Sequence, residues 1–513
     1  LVDYMKVQQK IIVIGAGIGG LTTAALLAKR GYEVIVYDLA LVAGGCASTF
    51  KRRGFTFDVG ATQVAGLESG GIHDRIFKEI EIEIPEATYC DPACAVFLPN
   101  EIEPINVWRD RQKWKLERQR QFPNSEPFWD FLEDLFWRSW RFQSRDPILP
   151  PRNFWDAWQL VKALRIDTLA TVPYTFSTVG DALRGFGLAS DKRLRTFLDL
   201  QLKLYSQVNA EETALLYAAT ALAVSQTPLG LFHLKGSMQV LSDRLIESIE
   251  RDGGKVLMQH QVIAIAAQGK SKKVKVKNLR SQEIFEDSAD HIVANVTVNN
   301  FVQLLGDDAP KGYAKRVANL KPASVAFVVY LGVDRAAIPE DCPPHLQFLE
   351  AYEDSTINKP HSLFVSVSKE GDGRAPDGKA TIIASEFTDA AVWYGGEDYQ
   401  ELKKRFTERA IAQLSGYFHL NPDTIIHIEA ATPQTFERYT GRDLGIVGGV
   451  GMRVSTFGPF GFANRTPLKN IWLVGDSTHP GEGTAGVSYS ALTVVRQIEQ
   501  ARHVNLWDRP VDK

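Results

Sequence analysis

The run Lys10-Ile11-Ile12-Val13-Ile14-Gly15-Ala16-Gly17-Ile18-Gly19-Gly20 constrains this chain more than any other. An apolar stretch of strand length opens onto Gly-x-Gly-x-x-Gly. A helical pattern follows, with Leu21, Ala24, Ala25, Leu27 and Ala28 apolar. Lys29 and Arg30 suit the last turn, and Gly31 sits where a left-handed C-cap is expected. A second strand, Glu33 to Tyr37, ends at Asp38. Gly15 permits the tight turn, Gly17 lets the backbone approach a pyrophosphate, and Gly20 lets the helix pack on the strand. The amides of the helix N-terminus then face the phosphates. Asp38 lies about twenty residues on, where a carboxylate takes ribose hydroxyls. The unit predicts a Rossmann-type α/β domain that holds a dinucleotide.

A chain of 513 residues is too long for one hydrophobic core, so two or three domains are expected. The net charge of −3 gives no footprint for nucleic acid. Four cysteines are too few for a disulfide scaffold, and Cys90 and Cys94 have no second pair or histidine nearby. Buried thiols in a reducing compartment are expected, and no metal site. Leu1 to Gln9 is short and polar, without a secretory pattern, and reads as a ragged leader. No segment has eighteen consecutive apolar residues. Thr213 to Val224 comes nearest and is only twelve long, which suits a buried helix.

After Asp38, Gly44-Gly45 suggests backbone lying close to something, and Gly54 to Gly60 alternates like a strand. Glu101 to Arg120 is polar and basic. Ser125 to Phe142 is helical in period, with Phe128, Phe131, Leu132, Leu135 and Phe136 in one stripe and Trp129, Trp137 and Trp140 widening it. Phe154, Trp155, Trp158, Leu160, Val161 and Leu164 begin another apolar helix. There are too many side chains for one face, and a core, an apolar tunnel or a surface docked on a bilayer all fit.

Three more helices are expected between Val179 and Ala223, the last capped by Asn209 with Glu211 and Glu212 at its positive end. A helix from Val240 to Glu250 and strands at Lys255–Met258 and Gln261–Ala266 return to α/β order. Lys270, Lys272, Lys273, Lys275 and Lys277 alternate with valines like the solvent face of a hairpin, and His291 to Asn295 is a further strand. Strand-like runs at Val325–Val333, Ser362–Val367 and Thr381–Ser385 predict a mixed sheet in a second domain. Tyr399 to Phe418 is an amphipathic helix, and Gly445 to Gly461 is an irregular crossover. A last strand ends at Gly475-Asp476, and a loop leads to a helix starting near Gly486, whose amides point at a ligand. The expected division is a dinucleotide-binding domain in three parts (1–95, 229–297, 453–505), a helical region (96–228) and a mixed-sheet substrate domain (298–452).

These residues together resemble the flavin-dependent amine oxidase and carotenoid desaturase superfamily. The resemblance rests on the glycine motif with Asp38, on Gly44-Gly45, on Phe57-Asp58-x-Gly60, and on Gly475-Asp476 before a glycine-opened helix. It implies FAD. Gly15, Gly17, Gly19 and Gly20 would hold the pyrophosphate, Asp38 the adenosine ribose, and Gly44 and Gly45 the phosphates. Val262 would pair its backbone with the adenine. Gly475 and Asp476 would meet the pyrophosphate–ribityl region, and Gly486 and Val487 the flavin end. Thr478-His479-Pro480-Gly481 is similar to the carotenoid desaturase branch. The run from Gly44 to Thr62 most resembles the cyanobacterial carotenoid 3',4'-desaturases, which act on a monocyclic carotenoid on the route to myxol glycosides. Carotene cis–trans isomerases share much of the pattern, and escort proteins share the fold. Many relatives carry arginine where this chain has Cys46, and bacterial phytoene desaturases carry an Ile-Pro or Val-Pro pair where it has Thr484-Ala485, which argues against phytoene as the substrate. The resemblance implies an apolar carotenoid and a quinone, oxygen or other electron acceptor. A water-insoluble substrate, no span, and aromatics with basic neighbours between Arg109 and Leu164 predict peripheral attachment on the cytoplasmic side of a membrane. The resemblance assigns no catalytic residue, and His479 and Glu482 are the titratable groups nearest the expected ring.

Overall fold

The computed structural model describes residues 8–269, 271–352 and 361–507, the last seven of these as backbone only. Lys270 and most of the expected leader lie outside the described residues.

The apolar run Lys10–Ile14 is the middle strand of a five-stranded parallel sheet. Glu33–Asp38 and then Lys255–Met258 lie on one side of it, and His291–Ala294 and Ile471–Leu473 on the other. Ile11 to Val13 are wholly buried because both faces of the sheet are covered, Ile11 and Val13 by helices and Ile12 by a cluster that includes Val262, Val274, Val276 and Phe301. The helix Ile18–Lys29 is buried along almost its whole length, against Gln239–Arg251 and Thr484–Trp507. Small residues make this close packing possible: Ala24 and Ala25 are fully buried, and Thr22 meets Ser488. A three-stranded antiparallel sheet of His260–Ala266, Lys272–Asn278 and Ile284–Ala289 lies beside this core. Val274 and Val276 face inward while Lys273 and Lys275 face solvent, as the alternation requires.

A seven-stranded mixed sheet forms the second body. Its order is Ile425–Ala431, Val325–Asp334, Lys379–Thr388, Ser362–Val367, His345–Leu349, Cys94–Phe97 and Ile105–Val107. The last two strands come from a much earlier part of the chain than the 298–452 span suggests. They are three and four residues long, too short for a clear period-two pattern. Asp58 ties the two bodies together. Met238 N donates to its Oδ1 at 2.8 Å, and Arg374 pairs with its Oδ2 at 3.1 Å. Both charges are almost fully buried, so Phe57-Asp58-x-Gly60 works in the described residues as a structural joint.

The helical layer holds Arg111–Gln121, Glu126–Gln143, Phe154–Ala163, Val179–Gly185, Lys192–Ser206 and Leu215–Ala223. The last of these departs from expectation. It begins at Leu215 after Ala214, with no side-chain cap, and Asn209 closes a preceding turn through its carbonyl. Glu211 and Glu212 pair instead with Arg184 and with Arg453 and Lys321. Among the described residues no helix is long and apolar enough to cross a membrane.

Candidate cofactor and substrate cavity

The strand Lys10–Ile14 stops where Gly15 donates to the Tyr37 carbonyl at 2.8 Å, with φ of 101°. Only glycine takes that turn easily. The next helix starts at Gly17 with no side-chain cap and no acid in its first turn, which leaves its positive end free for an anion. Asp38 closes the other side. Its Oδ2 accepts from Ala16 N at 2.6 Å and its Oδ1 from Ala40 N at 2.7 Å. Burial raises its pKa against the pull of those two amides. Gly44 donates to the Ala16 carbonyl at 2.7 Å, so the second glycine pair lies directly on the first.

One residue that the sequence reading placed only as a strand end organises this turn. Asn295 follows His291–Ala294, and its backbone N donates to the Ile14 carbonyl at 2.7 Å. Its Nδ2 donates to the Val474 carbonyl at 3.2 Å. A Cβ on Gly15 would lie 2.5 Å from the Asn295 carbonyl, one on Gly17 2.8 Å from its Oδ1, and one on Gly475 2.8 Å from its Nδ2. The glycines are therefore packed around an amide as well as open toward a ligand. Gly20 has a separate role, since a Cβ there would overlap the Gly15 carbonyl. Gly20 and Gly475 sit behind the cradle, whereas Gly15, Gly17, Gly19, Asp38, Gly44, Gly45, Val262, Asp476, Gly486 and Val487 all line one cavity. At Val262 the strand His260–Ala266 shifts register before Ala264, and Ile263, left out of the pairing, also lines the cavity.

Arg442 is the second missed residue. It lies just before the irregular crossover, and its guanidinium is 2.7 Å from Asp476 Oδ2. Nε donates to the Ile446 carbonyl at 2.6 Å, and Nη2 also reaches the Gly448 carbonyl. Its charge opposes the rise that burial imposes on the Cys46 thiol. No local sequence signal marks it.

The cavity has a volume of about 1270 Å³ and continues from this cradle into the helical layer. Trp140, Leu160, Leu164, Phe176, Leu216 and Phe460 line that part. The aromatic helix Glu126–Gln143 divides its faces: Phe128, Trp129 and Phe136 are core, while Trp140 and Phe142 reach the cavity. His479 lies at the junction, and its Nε2 is 3.4 Å from Gln143 Oε1. Burial lowers its pKa to about 4, so it is neutral near pH 7. Burial also pushes the thiols of Cys90 and Cys94 up to about 12. They are enclosed, free cysteines.

A family model described as flavin containing amine oxidoreductase matches residues 18–498. The chain belongs to this family. Its cofactor is FAD, and the uncapped helix end, the glycine cradle and Asp38 suit such a dinucleotide. Prolycopene isomerase 1 of an Oncidium hybrid cultivar is 27% identical over 504 residues, covering 95% of this chain and 83% of the relative. A 4,4'-diapophytoene desaturase of a Methylomonas species is 25% identical over 98% of both chains. The solved cyclohexylamine oxidase of Brevibacterium oxydans superposes with a TM-score of 0.61 at 17% identity, over 96% of this chain and all of that one. Such a likeness shows the fold.

Proposed function

We propose that the protein is an FAD-dependent desaturase that inserts the 3',4' double bond into a hydroxylated monocyclic carotene on the route to myxol-type xanthophylls. The observation that supports an apolar polyene substrate is the continuous cavity joining the dinucleotide cradle to the aromatic helices, and the choice of bond rests on the resemblance of Gly44 to Thr62. FAD, when bound, supplies the two-electron oxidising power. The chain's own residues have a simpler task. Trp140, Leu160, Leu164 and Phe176 exclude water and fix a stiff apolar chain relative to the junction at His479 and Glu482. The neutral His479 side chain helps to position and does not hold charge. A quinone, oxygen or another carrier takes the electrons onward.

A second reading, carotene cis–trans isomerisation, is favoured by the prolycopene isomerases, which are slightly more similar in sequence than the desaturase. The two readings differ in stoichiometry. Desaturation consumes one two-electron acceptor per new bond and red-shifts the carotenoid spectrum. Isomerisation changes the cis band without net acceptor consumption. Turnover under anaerobic conditions by pre-reduced protein with no acceptor present would overturn the desaturase reading.

The same reading places the protein on the cytoplasmic face of a membrane. Phe154, Ile166 and Phe176 are 86%, 88% and 65% exposed, and Arg152, Lys162 and Arg165 beside them are exposed too. Apolar tips flanked by cations suit an anionic bilayer surface, and Phe176 also lines the cavity.

A further inference from the structure

The loop that precedes the helix Thr484–Trp507 sets Glu482 in the cavity wall. Gln207 Nε2 donates to its Oε2 at 2.8 Å, and its Oε1 has no protein partner. Gln207 caps the helix Lys192–Ser206 in a left-handed conformation, φ 61°, and its amide also reaches the Val447 carbonyl. Gly448 leaves the room for this pair, because a Cβ there would overlap both the Gln207 amide and Glu482 Oε2. Three segments remote in sequence are shaped around one carboxyl group.

Burial pushes the Glu482 carboxyl up to about 8. Asp476 adds to the rise, and Gln207, Arg442 and the Gly449 amide oppose it. The group is therefore protonated near pH 7. An N–H donor already occupies Oε2, so the proton belongs on Oε1. That leaves an enclosed O–H donor without an acceptor, which is costly unless a ligand supplies one. Arg442, the cation beside it, is already paired with Asp476, so an anionic ligand end would meet Asp476 without a free counter-charge. The acceptor that fits is a neutral oxygen.

We propose that Glu482 is a specificity-determining residue that donates a hydrogen bond to a hydroxyl oxygen near the end of an otherwise apolar polyene. The inference rests on the carotenoid reading and adds the group that selects among carotenoids. A site that hydrogen-bonds a ligand hydroxyl discriminates strongly against the ligand lacking it. A glutamine at this position keeps an N–H donor but cannot act as an acid, which separates recognition from proton transfer.

The test uses flavin-loaded wild type, Glu482→Gln and Glu482→Leu, with two polyenes in detergent micelles that differ only in a terminal hydroxyl. Binding is read by quenching of tryptophan fluorescence, and flavin content by absorbance. Wild type is expected to bind the hydroxylated polyene about tenfold more tightly or better. Glu482→Gln is expected to keep the preference, and Glu482→Leu to bind both polyenes equally with its flavin unchanged. A Glu482→Leu protein that retains the preference overturns the proposal, as does one that loses its flavin, which would assign the carboxyl to the cofactor. Loss of the preference in Glu482→Gln overturns it in favour of an acid. Equal binding of both polyenes by wild type refutes the role of Glu482 and leaves the carotenoid reading standing. Failure to bind either polyene removes both.

Discussion

Replacing Arg442 by methionine isolates the ion pair that joins the crossover to the cavity. The guanidinium and the Asp476 carboxylate are 2.7 Å apart, and their side chains are only 17% and 16% exposed. At an effective dielectric near 20 the gross attraction at that distance is about 6 kcal/mol, most of it offset by the desolvation of both charges. Removing only the cation leaves the carboxylate enclosed and unpaired, and also frees the Ile446 and Gly448 carbonyls that Arg442 serves. Arg442→Met is therefore expected to cost about 3 to 5 kcal/mol. Asp476→Asn, which keeps the side-chain shape, should cost less. In the double variant the stranded charge is gone, so the coupling in a double-mutant cycle should be about 2 kcal/mol or more. Urea unfolding of the flavin-saturated protein, with Arg442→Lys as a charge-retaining control, measures it. Additive single effects, within about 0.5 kcal/mol, would show that the pair contributes nothing and refute the reasoning.

Gly17→Val should leave the fold intact and lower flavin content, because its side chain meets only the Asn295 side-chain amide, which a rotamer shift can relieve, and the cavity. Gly20→Ala should prevent folding, since its Cβ meets the fixed Gly15 carbonyl; circular dichroism and flavin absorbance separate the two. Changing Phe154, Ile166 and Phe176 together to serine should abolish flotation with anionic liposomes while leaving the unfolding free energy from urea titration within about 0.5 kcal/mol, as expected of exposed sites. The folded state holds the Glu482 proton up to about pH 8, and the unfolded state releases it near 4.5. Stability should thus fall as pH rises through that window, by about 1.4 kcal/mol per unit from this group, and Glu482→Gln should lack that contribution. Identical pH profiles for the two proteins in urea titrations would contradict this.

What could be read in the sequence is what local chemistry determines. The strand, turn and helix from Lys10 to Arg30 were legible because their signals are contiguous in sequence: a period, three glycines and a cap. Asn295 carried no such signal. Its meaning comes from bonds to Ile14, 281 residues earlier, and to Val474, 179 residues later, and one amide at a strand end looks like any other. Arg442 was hidden for the same reason. Its partner is 34 residues away, and the segment between them has no period to align it. The Asn209 expectation failed because the helix starts later, at Leu215. Asn209 opens a separate turn in which Thr213 N and Oγ1 both donate to its carbonyl, and the amides of Ala214 and Leu215 are taken by the Met452 and Ser177 carbonyls.

The aromatic helices show where pattern reaches its limit. A helix apolar on most of its circumference must divide its side chains among core, cavity and solvent, and its own period does not say which goes where. In Phe154–Ala163 the division is imposed from outside. Asp156, fully buried, is gripped by Arg465 at 3.1 Å and by Gln497, which fixes the rotation of the helix about its axis. That rotation sends Leu160 to the cavity and leaves Phe154 and Trp158 in the open. One acid, paired more than 300 residues downstream, thus decides that an aliphatic side chain of this helix meets the cavity while its aromatic ones meet the surroundings.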